Sequence, residues 1–415
     1  MSRTILLVNP APSNEYLSTE LRKLGCRSIA LLSRSLNQNK SLPIGKSCFD
    51  RDIRAIDMTP DECLALIDEP IDYVLNGTED SIPLSDYLAS KLTPQYQNNA
   101  DTQHKRGTKY GQQNALKEAG LKAIEQIKIA CTDINIAFAS NLIYPLFAKP
   151  VLGAGSEGAF KAESSVELIR KLKNAPSSGI YGLNDMYLLQ EYITGEEYCI
   201  DSFSCNGEVY FSGVFKYRRD RSTDVPIYES VDMVTDAILC KKIKAYIRDV
   251  LNACDVRNGF AHTEIFQLND GSFRTVEINP RVAGFSGSTN IMSSIMGIAS
   301  QPDLLANELN GTLDNLPSDT SLEGFGSILV LYHESEWIKT HPNLVKYIEL
   351  HPTLPQSLAE ISLISAKAMA LISDKSIGVP ASEITAFSIC DRQKLVARFQ
   401  SEGKVASTLE EASYE

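Results

Sequence analysis

Residues 144–161 read YPLFAKPVLGAGSEGAFK, and the fold turns on whether a helix or a strand comes after the glycines. An apolar run carries one lysine, Lys149, and breaks at Pro150 into a loop with glycines at 153, 155 and 158. Extended character resumes at Ala159-Phe160. Gly153-Ala-Gly155-Ser156-Glu-Gly158 satisfies G-x-G-x-x-G letter for letter. A dinucleotide site of that kind needs a helix to begin at its glycines, because the pyrophosphate rests on the helix N-terminus. Here AFKAESS intervenes, and the first helix signal is the Ser164-Ser165 cap of SSVELIRKLKN. The loop therefore joins two strands. No Gly-Lys-Ser/Thr comes after it, which excludes a P-loop. A hairpin of small residues presents backbone N–H groups that can cradle phosphate, with Lys149 beside it as a point charge. An ordinary flexible hairpin has the same composition, and these residues alone leave both readings open.

Upstream, TILLVN at 4–9 reads as a first parallel strand, succeeded by a helix over 14–24 closed by Gly25 and a strand SIALLS at 28–33. CLALI precedes IDYVLNGTED, a strand that opens into a polar loop at Asn76-Gly77, and PLSDYLASKL is a helix. This alternation predicts an open parallel α/β unit with ligand loops at its strand ends. Glu79 and Asp80 in that loop either meet substrate or are solvated. Residues 93–103 are polar and unpatterned, a domain boundary. The spacing then predicts one helix over 105–119, ended by Gly120, with Lys105, Arg106 and Lys109 on a basic face. IKIACT is a strand.

Downstream come strands MYLLQEY, EYCIDSFS and EVYFSGVFKY, the last two joined at Asn206-Gly207, a strong hairpin signal. The acid pair Glu196-Glu197 at a strand mouth suits ribose hydroxyls or simple exposure. Arg218, Arg219 and Arg221 form a basic cluster in KYRRDRS, suited to an anionic group or to a solvated turn. A helix is expected over 232–252, then strands FAHTEIFQL (260–268) and SFRTVEINPRVAGFSGS (272–288) around Asn269-Asp270-Gly271. GFGSILVLYH is a further strand, and SLISAKAMALISD and ICDRQKLVARFQSEG suggest small β or α+β units.

The 415 residues are enough for several domains, and 43% hydrophobic with 22% charged residues is the balance of a globular enzyme or binding protein. A net charge of −12 argues against nucleic acid or acidic membranes as main partner, though not against a nucleotide met by local cations. Nine scattered cysteines, with no secretory segment, fit a reducing cytoplasm, and no run of apolar residues is long enough to span a membrane. Five widely spaced histidines disfavour zinc.

The chemistry lies in the last hairpin. Glu264 alternates with His262 on FAHTEIF, while Glu277 and Asn279 share a face of TVEINP. The turn brings the strands side by side, so two carboxylates and an amide oxygen can converge as hard ligands suited to Mg²⁺. The competing reading pairs the acids with Arg274 or Arg281. His262 stands near this face, in a structural or phosphate-contact role or, alternatively, as a base.

In this order the pieces resemble the ATP-grasp superfamily, specifically its carboxylate–amine ligases and most of all the L-amino acid ligases that form dipeptides. The resemblance implies an α/β and α+β ATP-grasp fold: an N-terminal open parallel α/β domain (1–95), two subdomains clasping ATP (96–185 with glycine-rich loop 153–158, and 186–310 with adenine hinge and metal site), and a C-terminal α+β extension (311–415). It implies that Lys109 and Lys149 hold ATP phosphates and that Gly155, Ser156 and Gly158 cover them. Gln190, Glu191, Tyr192 and Ile193 would meet adenine, Glu197 the ribose, and His262 the nucleotide. Many family members carry Glu where this chain has Gln190. Glu264, Glu277 and Asn279 would hold two Mg²⁺ ions, with Mn²⁺ as a substitute. Arg281, Lys149 and Ser156 would be catalytic, and Glu79, Arg218, Arg281, Gly284, Ser286 and Gly287 would contact substrate.

The implied reaction joins a carboxylate and an amine, amino acids or their like, through an acyl phosphate with release of ADP and phosphate. A purine-biosynthesis-like or carboxylase-like ligase and a non-catalytic ATP-binding regulator are the alternatives. The expectation is a cytoplasmic enzyme without nucleic acid or membrane partners, able to form a homodimer as family members often do.

Overall fold

The computed structural model describes residues 2–11, 13–33, 49–133, 135, 139, 141–151, 158–175, 178–179, 182–183, 185–220, 227–284, 287–316, 322, 326–331 and 368–373. Strands β1 (Arg3–Val8), β2 (Cys26–Leu32), β3 (Arg51–Arg54) and β4 (Tyr73–Asn76) pair in parallel in the order β3-β2-β1-β4. Their near-continuous apolar runs reflect burial on both faces. Ile5 and Leu7 face one core with Leu17 and Leu21 of α1 (Ser13–Lys23), and Leu6 and Val8 face another with Cys63 and Leu88. Those two come from α2 (Pro60–Ala65), begun by a Thr59/Glu62 capping box with proline in its first turn, and α3 (Ile82–Leu92).

The helix expected over 105–119 is two helices, α4 (Gln103–Gly107) and α5 (Lys109–Glu118). Thr108 is extended (φ −142°, ψ 142°), and its hydroxyl accepts the Gly111 N–H at 3.0 Å. A local cap outcompetes continuation. Gly111 permits the fold-back, since a Cβ there would lie 1.8 Å from the His104 carbonyl oxygen. Lys109 thus opens the first turn of a new helix.

A smaller antiparallel sheet comes next, in the order β5-β10-β6-β7. It comprises β5 (Gln126–Ala130), β6 (Leu146–Pro150), β7 (Phe160–Ala162) and, after the two-stranded β8 (Ser178–Gly179) and β9 (Gly182–Leu183), β10 (Met186–Glu191). Because β6 and β7 pair directly, the glycine segment between them is a strand-to-strand connection, as its sequence requires. Helix α6 (Ser165–Lys173), capped by Ser164, buries Leu168 and Leu172 against this sheet.

The largest sheet has seven antiparallel strands in the order β15-β14-β11-β12-β13-β16-β17. They are β11 (Glu196–Cys205), β12 (Glu208–Asp220), β13 (Ile227–Met233), β14 (Gly259–Gln267), β15 (Phe273–Asn279), β16 (Gly326–Leu331) and β17 (Ala368–Ser373). Asn206 and Gly207 both take positive φ, 52° and 91°, the geometry of a tight two-residue hairpin. Helix α7 (Ala237–Ala253) packs Ile243, Ile247 and Val250 on one face of the sheet against Ile200, Val214 and Ile265. The helix expected from 232 begins later, because Val231–Met233 still pair with β12 and the Asp236 carboxylate caps the helix. On the other face, α8 (Ser288–Ile295) sets Ile291, Met292 and Ile295 against Cys199, Phe215 and Ile328. Helix α9 (Gln301–Leu309) supplies Leu304, Leu305 and Leu309 to the core shared with α1. Strands β16 and β17, read from sequence as part of an extension, continue this central sheet past β13.

Candidate active site

The β14–β15 hairpin pairs Glu264 with Glu277 and His262 with Asn279, with a bulge immediately after Glu264. Two like charges directly opposite repel, so the pair persists only where cations answer it. Lys109 does so from the start of α5, with Nζ 2.9 Å from Glu277 Oε2. The Asn279 amide donates to Glu277 Oε1 at 3.2 Å. Lys149, buried on β6, completes the group.

Burial pushes the Lys149 ammonium down to about 8, with Glu277 resisting and Lys109 adding to the fall. For Glu277, burial acts against ionisation, but Lys109 and Lys149 outweigh it and hold the carboxyl below its ordinary range. Lys109 moves the other way: burial lowers its pKa, and Glu277 and Glu79 more than reverse that. Neither arginine of the competing reading takes Glu277. Arg274 donates to the Phe273 carbonyl and Ser272 hydroxyl, and Arg281 reaches Glu79 at 2.8 Å. Among the described residues no cluster of three or more His, Cys, Asp or Glu forms a metal cage. Two carboxylates and an amide are the hard, incomplete donor set that suits Mg²⁺ shared with phosphate, so the residues fit that ion.

His262 is buried on β14, two residues before Glu264. Its Nδ1 donates to Asp201 Oδ1 at 2.6 Å, Nε2 lies 3.0 Å from the Tyr217 hydroxyl, and Glu264 Oε1 is 3.7 Å off. Burial alone would depress its pKa, but Asp201 raises it to about 9. Sequence reasoning missed Asp201 and Tyr217. The available signal was an acid inside the apolar strand EYCIDSFS, two positions along the face from Cys199, where an unpaired carboxylate is costly.

Near the end of β10, Gln190 is buried with its amide donating to Gln126 Oε1 at 3.2 Å. The Glu191 N–H goes to the Glu125 carbonyl and the Tyr192 N–H to the Pro145 carbonyl. Ile193 is the next residue along, and among the described residues its N–H has no acceptor. Lys161 sits over the Tyr192 ring at 4.3 Å. Glu197 is buried and held by Arg219 Nη2 at 2.7 Å, with the Arg219 guanidinium 4.9 Å above the Tyr217 ring.

Gly153, Gly155, Ser156, Arg221 and Ser286 lie outside the described residues. Gly158 has φ +68°, and its carbonyl accepts the Tyr187 hydroxyl at 3.1 Å. Arg218 is not drawn into the carboxylate cluster: it pairs with Asp232 of β13 at 2.5 Å and is half exposed. Glu79 and Arg281 meet across the junction of the first and largest sheets, beside Gly284. Asn76, at the end of β4, donates to the Pro280 carbonyl. Gly287, with φ +81°, is the N-cap of α8 and lies so close to the Tyr16 ring that a Cβ would be 2.2 Å from it.

Residues 142–289 match the ATP-grasp domain family. Dapdiamide A synthase of Enterobacter agglomerans is 26% identical over 219 residues, 52% of this chain and 51% of that protein. The L-arginine-specific L-amino acid ligase of Bacillus subtilis is 23% identical over 272 residues, 59% and 62% of the two chains. The chain thus spans about half to three fifths of the length of these relatives. In overall fold it resembles the crystal structure of an L-amino acid ligase from Bacillus licheniformis (TM-score 0.68, 16% identity, covering 97% of this chain and 98% of that one). It also resembles an ADP complex of N5-carboxyaminoimidazole ribonucleotide synthetase (TM-score 0.62, 17% identity, 95% and 98%). The match over 142–289 and the shape shared with these structures agree: the chain carries an ATP-grasp domain within an ATP-grasp fold.

Proposed function

We propose that this protein is an ATP-dependent carboxylate–amine ligase that joins amino acids or amino-acid-like substrates through an acyl phosphate, releasing ADP and phosphate. The observation that carries the reading is the meeting of Glu264, Glu277 and Asn279 on one hairpin with two lysines from separate elements, buried Lys149 and partly buried Lys109. Mg²⁺, when bound by those three residues, supplies charge neutralisation at the transferring phosphoryl group. Lys109 and Lys149 then face the phosphates of the ATP substrate and offset the charge that remains. The hinge from Gln190 to Ile193 takes adenine, with the Ile193 N–H as donor. Glu197, already fixed by Arg219, takes the ribose at the same end.

The reacting carboxylate attacks the γ-phosphorus, and the amine then attacks the acyl carbon and displaces phosphate. Arg281 is the cation two residues beyond the metal-ligand strand, and it stabilises the oxyanion of that second step. Glu79 of the first domain, paired with Arg281 at 2.8 Å, orients the substrate ammonium in this reading. The similarity to an L-arginine-specific L-amino acid ligase favours amino-acid substrates over a purine precursor.

The test is phosphate release with Mg-ATP against a matrix of paired amino acids and small carboxylates, with acid-only and amine-only controls. Release with particular pairs, accompanied by a new amide mass, is the expected result. Release no greater than with ATP alone across the matrix refutes the amino-acid assignment.

A further inference from the structure

The mechanism uses Lys109 and Glu277 but leaves unexplained why they meet. Lys109 is on α5 and Glu277 on β15, which among the described residues is the outer strand of the seven-stranded sheet and pairs with β14 alone. Its outer backbone groups therefore face α5 in the protein interior, where unpaired peptide groups are costly. Two buried glutamines of α5 meet them. Gln112 Oε1 accepts the Ile278 N–H at 2.9 Å while its Nε2 donates back to the Ile278 carbonyl at 2.7 Å. The same Nε2 also reaches the Arg106 carbonyl at 3.0 Å, which ties in the end of α4. Gln113 Nε2 donates to the Thr275 carbonyl at 2.8 Å, and its Oε1 accepts the Ile124 N–H at 2.8 Å.

A side-chain amide is chemically a peptide group, so Gln112 stands in for one residue of a missing strand. The peptide it grips is Ile278, between Glu277 and Asn279. Lys109 is three residues before Gln112, on the same side of the helix. We propose that Gln112 is a positioning residue: its two-pronged grip on Ile278 sets the register between the lysine-bearing helix and the metal-binding strand, and so aims Glu277 and Asn279 at the ion. This rests on the assignment of Glu264, Glu277 and Asn279 as metal ligands. Gln113 grips the same strand at Thr275, two residues before Glu277, and serves as the internal control for edge sealing without aiming.

The experiment titrates Mn²⁺ into the full-length protein with ADP by electron paramagnetic resonance, alongside thermal melting. It uses the wild type, Glu277→Gln, Gln112→Met and Gln113→Met. Groups that orient metal ligands typically change affinity by about 10–100-fold. Gln112→Met is expected to weaken Mn²⁺ at least about tenfold. Gln113→Met should lower the melting temperature comparably and leave Mn²⁺ affinity within about twofold, a margin well below that range. Equal losses of affinity in the two glutamine variants, or none in Gln112→Met while Glu277→Gln loses binding, overturns the proposal. Full binding by Glu277→Gln instead overturns the metal assignment beneath it. If Gln112→Met does not fold, Gln112→Glu, which keeps an acceptor for the Ile278 N–H but loses the donor, gives the same comparison: affinity within about twofold of wild type rejects the positioning role.

Discussion

Glu277 shows how far a residue can be read from its neighbours in sequence and where that stops. Its place on a face with Asn279, opposite Glu264, comes from period-two alternation and the Asn269-Asp270-Gly271 turn, and the observed register agrees. Its cation could not be read in the same way: Lys109 lies far away in sequence, and the nearby arginines 274 and 281 were the visible candidates. Replacing Glu277 with Gln keeps an oxygen for Lys109, so we expect a folded protein that has lost about 1–2 kcal/mol. With Glu277 as the proposed metal ligand, turnover should fall on the order of a hundredfold or more. A coupled assay of ADP release that finds near-normal turnover contradicts the role.

Lys149 yields a second expectation at this scale. Burial brings the Lys149 ammonium down to about 8, and in the proposed function phosphate binds its charged form. ATP affinity should therefore hold up to about pH 8 and then fall, by as much as about tenfold per pH unit. Lys149→Arg, whose guanidinium stays charged, should flatten the decline. Calorimetric titration at several pH values distinguishes this from a pH-independent affinity.

Among the elements, local signals predicted most of what formed. The Asn206-Gly207 hairpin, the strand-to-strand glycine connection and the Ser164 cap were all legible, because each depends on a few adjacent residues. The break at Thr108 was not, since Gly111 is needed for approach to His104 and not for any local turn. Close approach also governs the loop that carries Glu79. A Cβ on Gly77 would lie 2.5 Å from both the Asn9 carbonyl oxygen and the Pro10 Cα, so the ends of β1 and β4 meet there without room for a side chain. Gly77→Ala should destabilise by about 2 kcal/mol through overpacking, read as a lower urea midpoint, and should lower turnover by shifting Glu79. An unchanged midpoint contradicts so tight a junction.

For the whole molecule, the alternation of strands and helices gave away the first sheet, but the partners of the last strands were hidden. Apolar runs at 326–331 and 368–373 say strand without saying which edge they join. The answer, β13 then β16 then β17, is set by long-range pairing and by Ile328 closing the core beneath α8. Likewise the ties of Asp201 to His262 and Arg219 to Glu197 emerge once the strands are side by side. Ending the chain at residue 316 should expose the β13 edge, lower the melting temperature and promote self-association, as uncovered edges do. An unaltered melt and elution profile would show those strands to be peripheral. The central claim concerns the path of one oxygen. With the carboxylate substrate labelled with ¹⁸O and a productive amine, the account predicts transfer of one labelled oxygen into the released phosphate, because phosphate leaves the acyl carbon carrying it. Phosphate free of label, alongside normal amide formation, would contradict the acyl-phosphate route.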